Sequence, residues 1–205
     1  MTNTTLAISA LVTLSAVQGA SATVTVFTNF SVWGSAVTAN GQTVATETFN
    51  GYGPGTATFL TGSPLPASGI TWTATAPANG LVTNGATLRP DTATEDLVFD
   101  FAPGVRGIGG NIYTSVLGET PSFAYIKVTL ADGVSYFGNS DNPEMFIGFY
   151  SDTASITKLT IKLFQITGSM SYATVDNMYF AVPAPGALAL LAAAGLIGVQ
   201  HRRRA

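Results

Sequence analysis

Residues 124–130 read Ala124-Tyr125-Ile126-Lys127-Val128-Thr129-Leu130, aliphatic at every even position and Tyr, Lys or Thr at every odd one. A period of two sends alternate side chains to opposite faces of an extended chain, so this segment belongs in a sheet with one face buried and the other wet. Asp132-Gly133 then turns the chain into Val134-Ser135-Tyr136-Phe137, which predicts a hairpin with a two-residue loop. Lys158-Leu159-Thr160-Ile161-Lys162-Leu163 alternates in the same way. Further strands are expected over 23–27, 44–49, 70–74, 97–101, 105–113, 145–150 and 173–180, with turn residues between them. The pattern predicts an all-β body, an antiparallel β-sandwich or jelly roll.

Little else in the body departs from strand and turn. One short helix is expected from Asn29 to about Val37, capped by Thr28 or Asn29, with Phe30, Trp33 and Val37 on one face. The Gly- and Pro-rich stretch from Asn50 to Gly69 reads as a crossover between sheets that holds one short strand near 57–60. Gly107-Ile108-Gly109-Gly110 lacks the Lys-Ser/Thr of a phosphate-binding loop and the βαβ setting of a dinucleotide site, and reads as a strand turn.

Both ends of the chain differ from the body. Residues 6–17 form an apolar run of signal-peptide length, and Ala20-Ser21-Ala22 supplies the small residues a signal peptidase needs, with Ala20 at −3 and Ala22 at −1. The first five residues carry no Lys or Arg, so the free amine is their only positive charge. At the other end Val182-Pro183-Ala184-Pro185 precedes an Ala-, Leu- and Gly-rich stretch over 186–199, then Gln200-His201-Arg202-Arg203-Arg204. As a helix the apolar stretch spans ~21 Å, short of the ~30 Å of a bilayer core. Clustered arginines stay cytoplasmic and leave the body on the far side of the membrane.

A short Pro motif, a hydrophobic helix and a terminal Arg cluster, in that order, resemble the PEP-CTERM sorting signal of exosortase-processed bacterial proteins. Ala184 stands where that family usually has Glu. The resemblance covers the last 24 residues or so, and implies transit through the Sec pathway and then cleavage by an exosortase, in an organism that makes exopolysaccharide. The expected organisation is a signal peptide over 1–22, a β-sandwich ectodomain over 23–181 and a sorting tail over 182–205. Signal peptidase and exosortase are the expected processing partners, and the cell surface or extracellular space the destination, after transient anchoring in the inner membrane. The body is also similar to β-sandwich ectodomains that carry this tail, through Phe146-Ile147-Gly148-Phe149 and Val175-Asp176-Asn177-Met178-Tyr179-Phe180.

Composition narrows the chemistry. There is no Cys, and the single His, His201, lies in the tail. A Ser-His-Asp triad, a Cys-His dyad and His- or Cys-ligated zinc or iron therefore have no residues in the body. All eleven acidic residues fall between Glu47 and Asp176, against five basic ones (Arg89, Arg106, Lys127, Lys158, Lys162), so the body carries −6. Such a body repels a phosphate backbone, which argues against nucleic acid as a partner.

Two classes of function remain. One is a non-enzymatic surface or matrix protein that binds extracellular polysaccharide through exposed aromatics, for which Trp33, Trp72, Tyr52 and Tyr136 are candidates, although core packing is the commoner fate of such residues. The other is a hydrolase or lyase using two carboxylates among Glu47, Glu95, Asp96, Asp100, Glu119, Asp141, Glu144 and Asp176. Oxygen donors are also dense in Asp91-Thr92-Ala93-Thr94-Glu95-Asp96 and Asn139-Ser140-Asp141-Asn142-Pro143-Glu144, which marks Asp91, Glu95, Asp96, Asp141 and Glu144 as candidate Ca²⁺ ligands. Asx-turns are the structural alternative in both loops.

Overall fold

The computed structural model describes residues 22–66, 69–164 and 170–184. Strand β1 (Val24–Phe27) leads into the helix α1 (Phe30–Ala39), followed by β2 (Gln42–Glu47), β3 (Gly55–Ala57), β4 (Phe59–Leu65) and β5 (Ile70–Thr75). Three short strands come next, β6 (Leu81–Thr83), β7 (Leu88–Pro90) and β8 (Leu97–Phe101), then the long β9 (Gly107–Ser115). Strands β10 (Tyr125–Leu130), β11 (Ser135–Asn139), β12 (Phe146–Ser151), β13 (Lys158–Phe164) and β14 (Tyr172–Pro183) complete the body. All strand pairs are antiparallel.

The strands form two sheets. The larger runs β1-β12-β9-β14-β7-β6-β3, with β2 also paired to β14, and the smaller runs β11-β10-β13-β8-β5-β4. Their inner faces share one apolar core, in which Ile108, Ile112, Phe149 and Phe180 of the larger sheet meet Trp72, Phe99, Ile126 and Ile161 of the smaller. Phe101 and Phe180 meet edge to face across the sandwich, with ring centroids 5.8 Å apart. The alternation in β10 does what its period requires: Ile126, Val128 and Leu130 are buried and Tyr125 is exposed.

Several local expectations are corrected. The hairpin between β10 and β11 has a three-residue loop. The Gly133 N–H donates to the Leu130 carbonyl at 3.1 Å and the Leu130 N–H to the Val134 carbonyl at 2.9 Å. Gly133 takes φ +90°, the left-handed residue that closes such a loop, and Asp132 Oδ1 accepts from the Val134 N–H. The stretch 50–69 holds two strands, not one: β3 joins the larger sheet and β4 the smaller, and the chain changes sheets at Thr58. The short β6 and β7, three residues each, were too brief to show a period.

Gly107, Gly109 and Gly110 lie inside β9, not in a turn. Gly109 pairs with Gly148 of β12, and a Cβ on either would sit 2.5–2.6 Å from Phe146 Cζ. A Cβ on Gly107 would meet Ala181 Cβ at 2.8 Å and Trp33 at 3.3 Å. The bare patch these glycines leave on the outer face of the larger sheet receives α1. Asn29 caps that helix by accepting the Val32 N–H, and Trp33 and Val37 point down into the patch. Strand β14 is central, with β9 along one side and β7 and then β2 along the other. It continues through Pro183, so Val182 and Pro183 pair with Thr43 and Gln42, and Val182 is fully buried. The sheet therefore extends two residues past the expected boundary at 181/182.

Candidate functional site

Of the aromatic residues named from sequence as sugar-stacking candidates, none is free to stack. Trp33 and Trp72 are buried in the two core clusters. Trp72 donates its Nε1–H to Glu47 Oε2 at 3.2 Å, and the Phe49 N–H donates to Glu47 Oε1 at 2.9 Å. Tyr52 lies edge-on to Trp72 and donates its hydroxyl to the Thr61 carbonyl at 2.8 Å. Burial, and then the nearby Glu47 charge, push the Tyr52 phenol up to about 12. Tyr136 faces inward on β11, opposite the core residue Val128, and burial raises its phenol as well.

The opposite face of the same strands carries a different set. Phe123, Tyr125, Phe137 and Phe164 are 46, 39, 59 and 41% exposed and touch in sequence across the outer face of the smaller sheet. Register builds the row. Tyr125 on β10 is directly opposite Phe164 on β13 and Asn139 on β11, which brings Phe137 onto the same face one step along. The Tyr125 and Phe137 rings are stacked nearly parallel, 10° apart with centroids at 5.6 Å. Phe123 meets Tyr125 at 5.5 Å and Phe164 meets Phe137 at 5.7 Å, both edge-on.

Next along this face, Lys127 is opposite both Phe137 and Lys162. Neither lysine has an ion-pair partner among the described residues, whose one ion pair is the exposed Lys158–Asp100 at 3.3 Å. An apolar platform edged by two unpaired ammonium groups is therefore exposed on a body that is acidic as a whole. Contiguous exposed apolar surface of this kind marks binding sites. Alternation pointed to it: with Tyr136 inward, Phe137 must face out.

Among the described residues no three His, Asp or Glu side chains lie close enough to share a metal ion. The five candidate calcium ligands Asp91, Glu95, Asp96, Asp141 and Glu144 are thus not gathered into one site. Glu95 Oε1 accepts the backbone N–H groups of Ala78 and Asn79, which ties its loop to the turn after β5, and Asn142 Oδ1 accepts the Glu144 N–H within the other loop. Glu47 is occupied beneath Trp72, and Glu119 accepts from Asn84 Nδ2.

Each of three surface hollows is lined by a single carboxylate: Asp132 in one of about 400 Å³, Glu144 in one of about 390 Å³ beside the start of α1, and Asp91 in one of about 500 Å³. Near the second, Asp176 and Asn177 bulge out of β14 opposite Asn111 of β9. Asn111 Oδ1 accepts from Tyr179 Oη at 3.0 Å and Asn177 Nδ2 at 3.3 Å, which fixes the bulge. Burial raises the Asp176 carboxyl above the usual range. Burial first, then Glu119 and Asp176, push the Tyr113 phenol up to about 12.

Of the processing residues, Ala22, Val182, Pro183 and Ala184 are within the described chain, while Ala20, Pro185, Arg202, Arg203 and Arg204 lie outside it. No helix of the described residues is long and apolar enough to cross a membrane, and the stretch 186–199 lies outside them.

No protein-family model matches the chain, and no curated protein matches it. Among solved structures it is similar to a family two carbohydrate esterase from Cellvibrio japonicus, with 10% identity and a TM-score of 0.35 over 80% of this chain and 36% of that one. It is similar also to a CBM35 from Cellvibrio japonicus, with 9% identity and a TM-score of 0.28 over 53% of this chain and 77% of the other. The third is an exo-β-1,3-galactanase from Phanerochaete chrysosporium, crystallised with galactose, with 12% identity and a TM-score of 0.21 over 77% of this chain and 29% of that one. The chain spans about a third of the length of the esterase chain. Likeness at this level assigns no residue and no substrate.

Proposed function

We propose that this is an exported, exosortase-sorted surface or matrix protein whose sandwich binds extracellular polysaccharide without acting on it. The observation that carries the reading is the row Phe123, Tyr125, Phe137 and Phe164, four exposed rings in contact on the outer face of the smaller sheet, the last three aligned by strand register. Removing such rings from water is favourable when the partner presents an apolar face to them. Pyranose rings present C–H faces to an aromatic plane and hydroxyls to the surrounding solvent, so a glycan chain covers the platform without stranding polar groups.

The unpaired Lys127 and Lys162 refine the ligand class. They suit a polysaccharide that carries carboxylate or other anionic groups, and they offset the repulsion such a chain meets from the acidic body. Each of the three hollows is lined by one carboxylate, which supports a binder over a hydrolase or lyase, since acid–base cleavage needs two in one cleft.

The test is affinity electrophoresis or calorimetry of the exported protein against neutral and anionic exopolysaccharides at two salt concentrations. Binding to anionic chains that weakens with salt, and is lost when Tyr125 and Phe137 are both changed to Ala, is expected. Equal binding by that double variant, or cleavage of the glycan, would overturn the reading.

A further inference from the structure

Thr23 and Asp152 close the register that β1 and β12 begin. Val24 is paired with Ser151. One step beyond, the Asp152 N–H donates to the Thr23 carbonyl at 3.2 Å. The Thr23 N–H does not return a bond to a backbone carbonyl. It donates to the carboxylate of Asp152, at 2.9 Å from Oδ1. Thr153 Oγ1 donates to the same oxygen at 3.1 Å, and the positive Arg106 nearby also favours the ionised form. Asp152 is thus an oriented carboxylate that has no ion-pair partner among the described residues.

The nitrogen it holds is the one that changes chemically if Ala20-Ser21-Ala22 is a signal-peptidase site. Hydrolysis of the Ala22–Thr23 bond consumes one water. Ala22 keeps the new carboxylate, and the Thr23 nitrogen leaves as an amine that takes up a proton at neutral pH.

We propose that Asp152 is the receptor for the α-ammonium of the processed chain, so that cleavage before Thr23 converts an amide–carboxylate hydrogen bond into an ion pair that fastens β1 to the sheet. The inference rests on the export reading above. The new cation needs no movement to reach its partner, because the nitrogen is already at hydrogen-bond distance. A charge-assisted bond is the stronger kind. Register matters: an extended chain advances ~3.3 Å per residue, so a cut one residue to either side removes the ammonium from Asp152. Strand β1 is an edge strand at the start of the folded body, where fraying begins, and the ion pair forms at its first residue.

The experiment uses the protein exported and processed by a bacterial host. Intact mass fixes the first residue, and the pH dependence of acylation of the α-amine by a trace reagent gives its titration. The expected result is a chain beginning at Thr23 whose amine titrates a few tenths of a pH unit above the ordinary ~7.7–8.0. Asp152→Asn should return it to the ordinary value, and Asp152→Glu should retain part of the shift. A chain beginning at Thr23 whose amine ignores Asp152→Asn would overturn this inference and leave the export reading standing. A chain cut at any other position would overturn this inference alone, and a chain that still begins at Met1 would overturn both.

Discussion

The Trp33 indole donates its Nε1–H to the carbonyl of Phe149 at 3.1 Å, joining positions 116 residues apart in sequence. The bond pins α1 to the outer face of the larger sheet, and the ring fills the space above Gly107 and Gly148. Trp33→Ala should cost about 3–5 kcal/mol in equilibrium denaturation, the range for emptying a large buried aromatic site. Trp33→Phe should cost less, because it keeps most of the packing and loses the donor.

Gly109→Ala and Gly148→Ala should each destabilise by about 1–3 kcal/mol, since the added methyl would press on Phe146 from a strand that cannot move away. Combining either with Phe146→Leu should recover part of the loss, which a double-mutant cycle on urea midpoints would show. An additive result would mean that Phe146 is not the obstacle.

On the platform, Phe137→Ala or Tyr125→Ala should weaken glycan binding by about twofold to tenfold each, from the loss of one aromatic contact. The melting midpoint should hardly move, because both side chains are exposed and lie outside the core. A fall in stability as large as the fall in affinity would instead make the row a structural element.

Asp176 supplies a pH prediction. Its carboxyl is raised by burial, so folding is favoured when it is protonated and that contribution is lost as pH rises from the unfolded value through the folded one. Asp176→Asn should therefore melt higher than wild type at pH 7. The difference should shrink as pH falls below the ordinary Asp value of ~3.9. Thermal scans from pH 3 to 8 on both proteins would show the convergence.

Ending the chain at Ala181 should cost about 1.5–3 kcal/mol relative to ending it at Ala184, because Val182 is buried at the end of β14. Melting of the two forms decides this. Equal midpoints would mean that Val182 adds nothing to the sheet.

The sequence by itself determined which face of β10 and of β13 is buried. Alternation in 124–130 and 158–163 is a local property, read one strand at a time, and it placed Tyr125, Lys127 and Lys162 outward without knowledge of any neighbour. It also located α1 and narrowed its cap to Thr28 or Asn29, since a cap acts within one turn, and Asn29 is the one that serves. Only the tertiary structure decided which strands lie side by side. That choice brings Phe164 opposite Tyr125, so that four scattered aromatics become one platform. The same choice sets β9 against β12, so that Gly107, readable as part of a turn, joins Gly148 as the floor beneath Trp33. It also spent Glu47 and Glu95 on internal hydrogen bonds, where the sequence offered them as free acids. Pairing between strands distant in the chain is fixed by the packing of the whole core, and no short window of residues contains it.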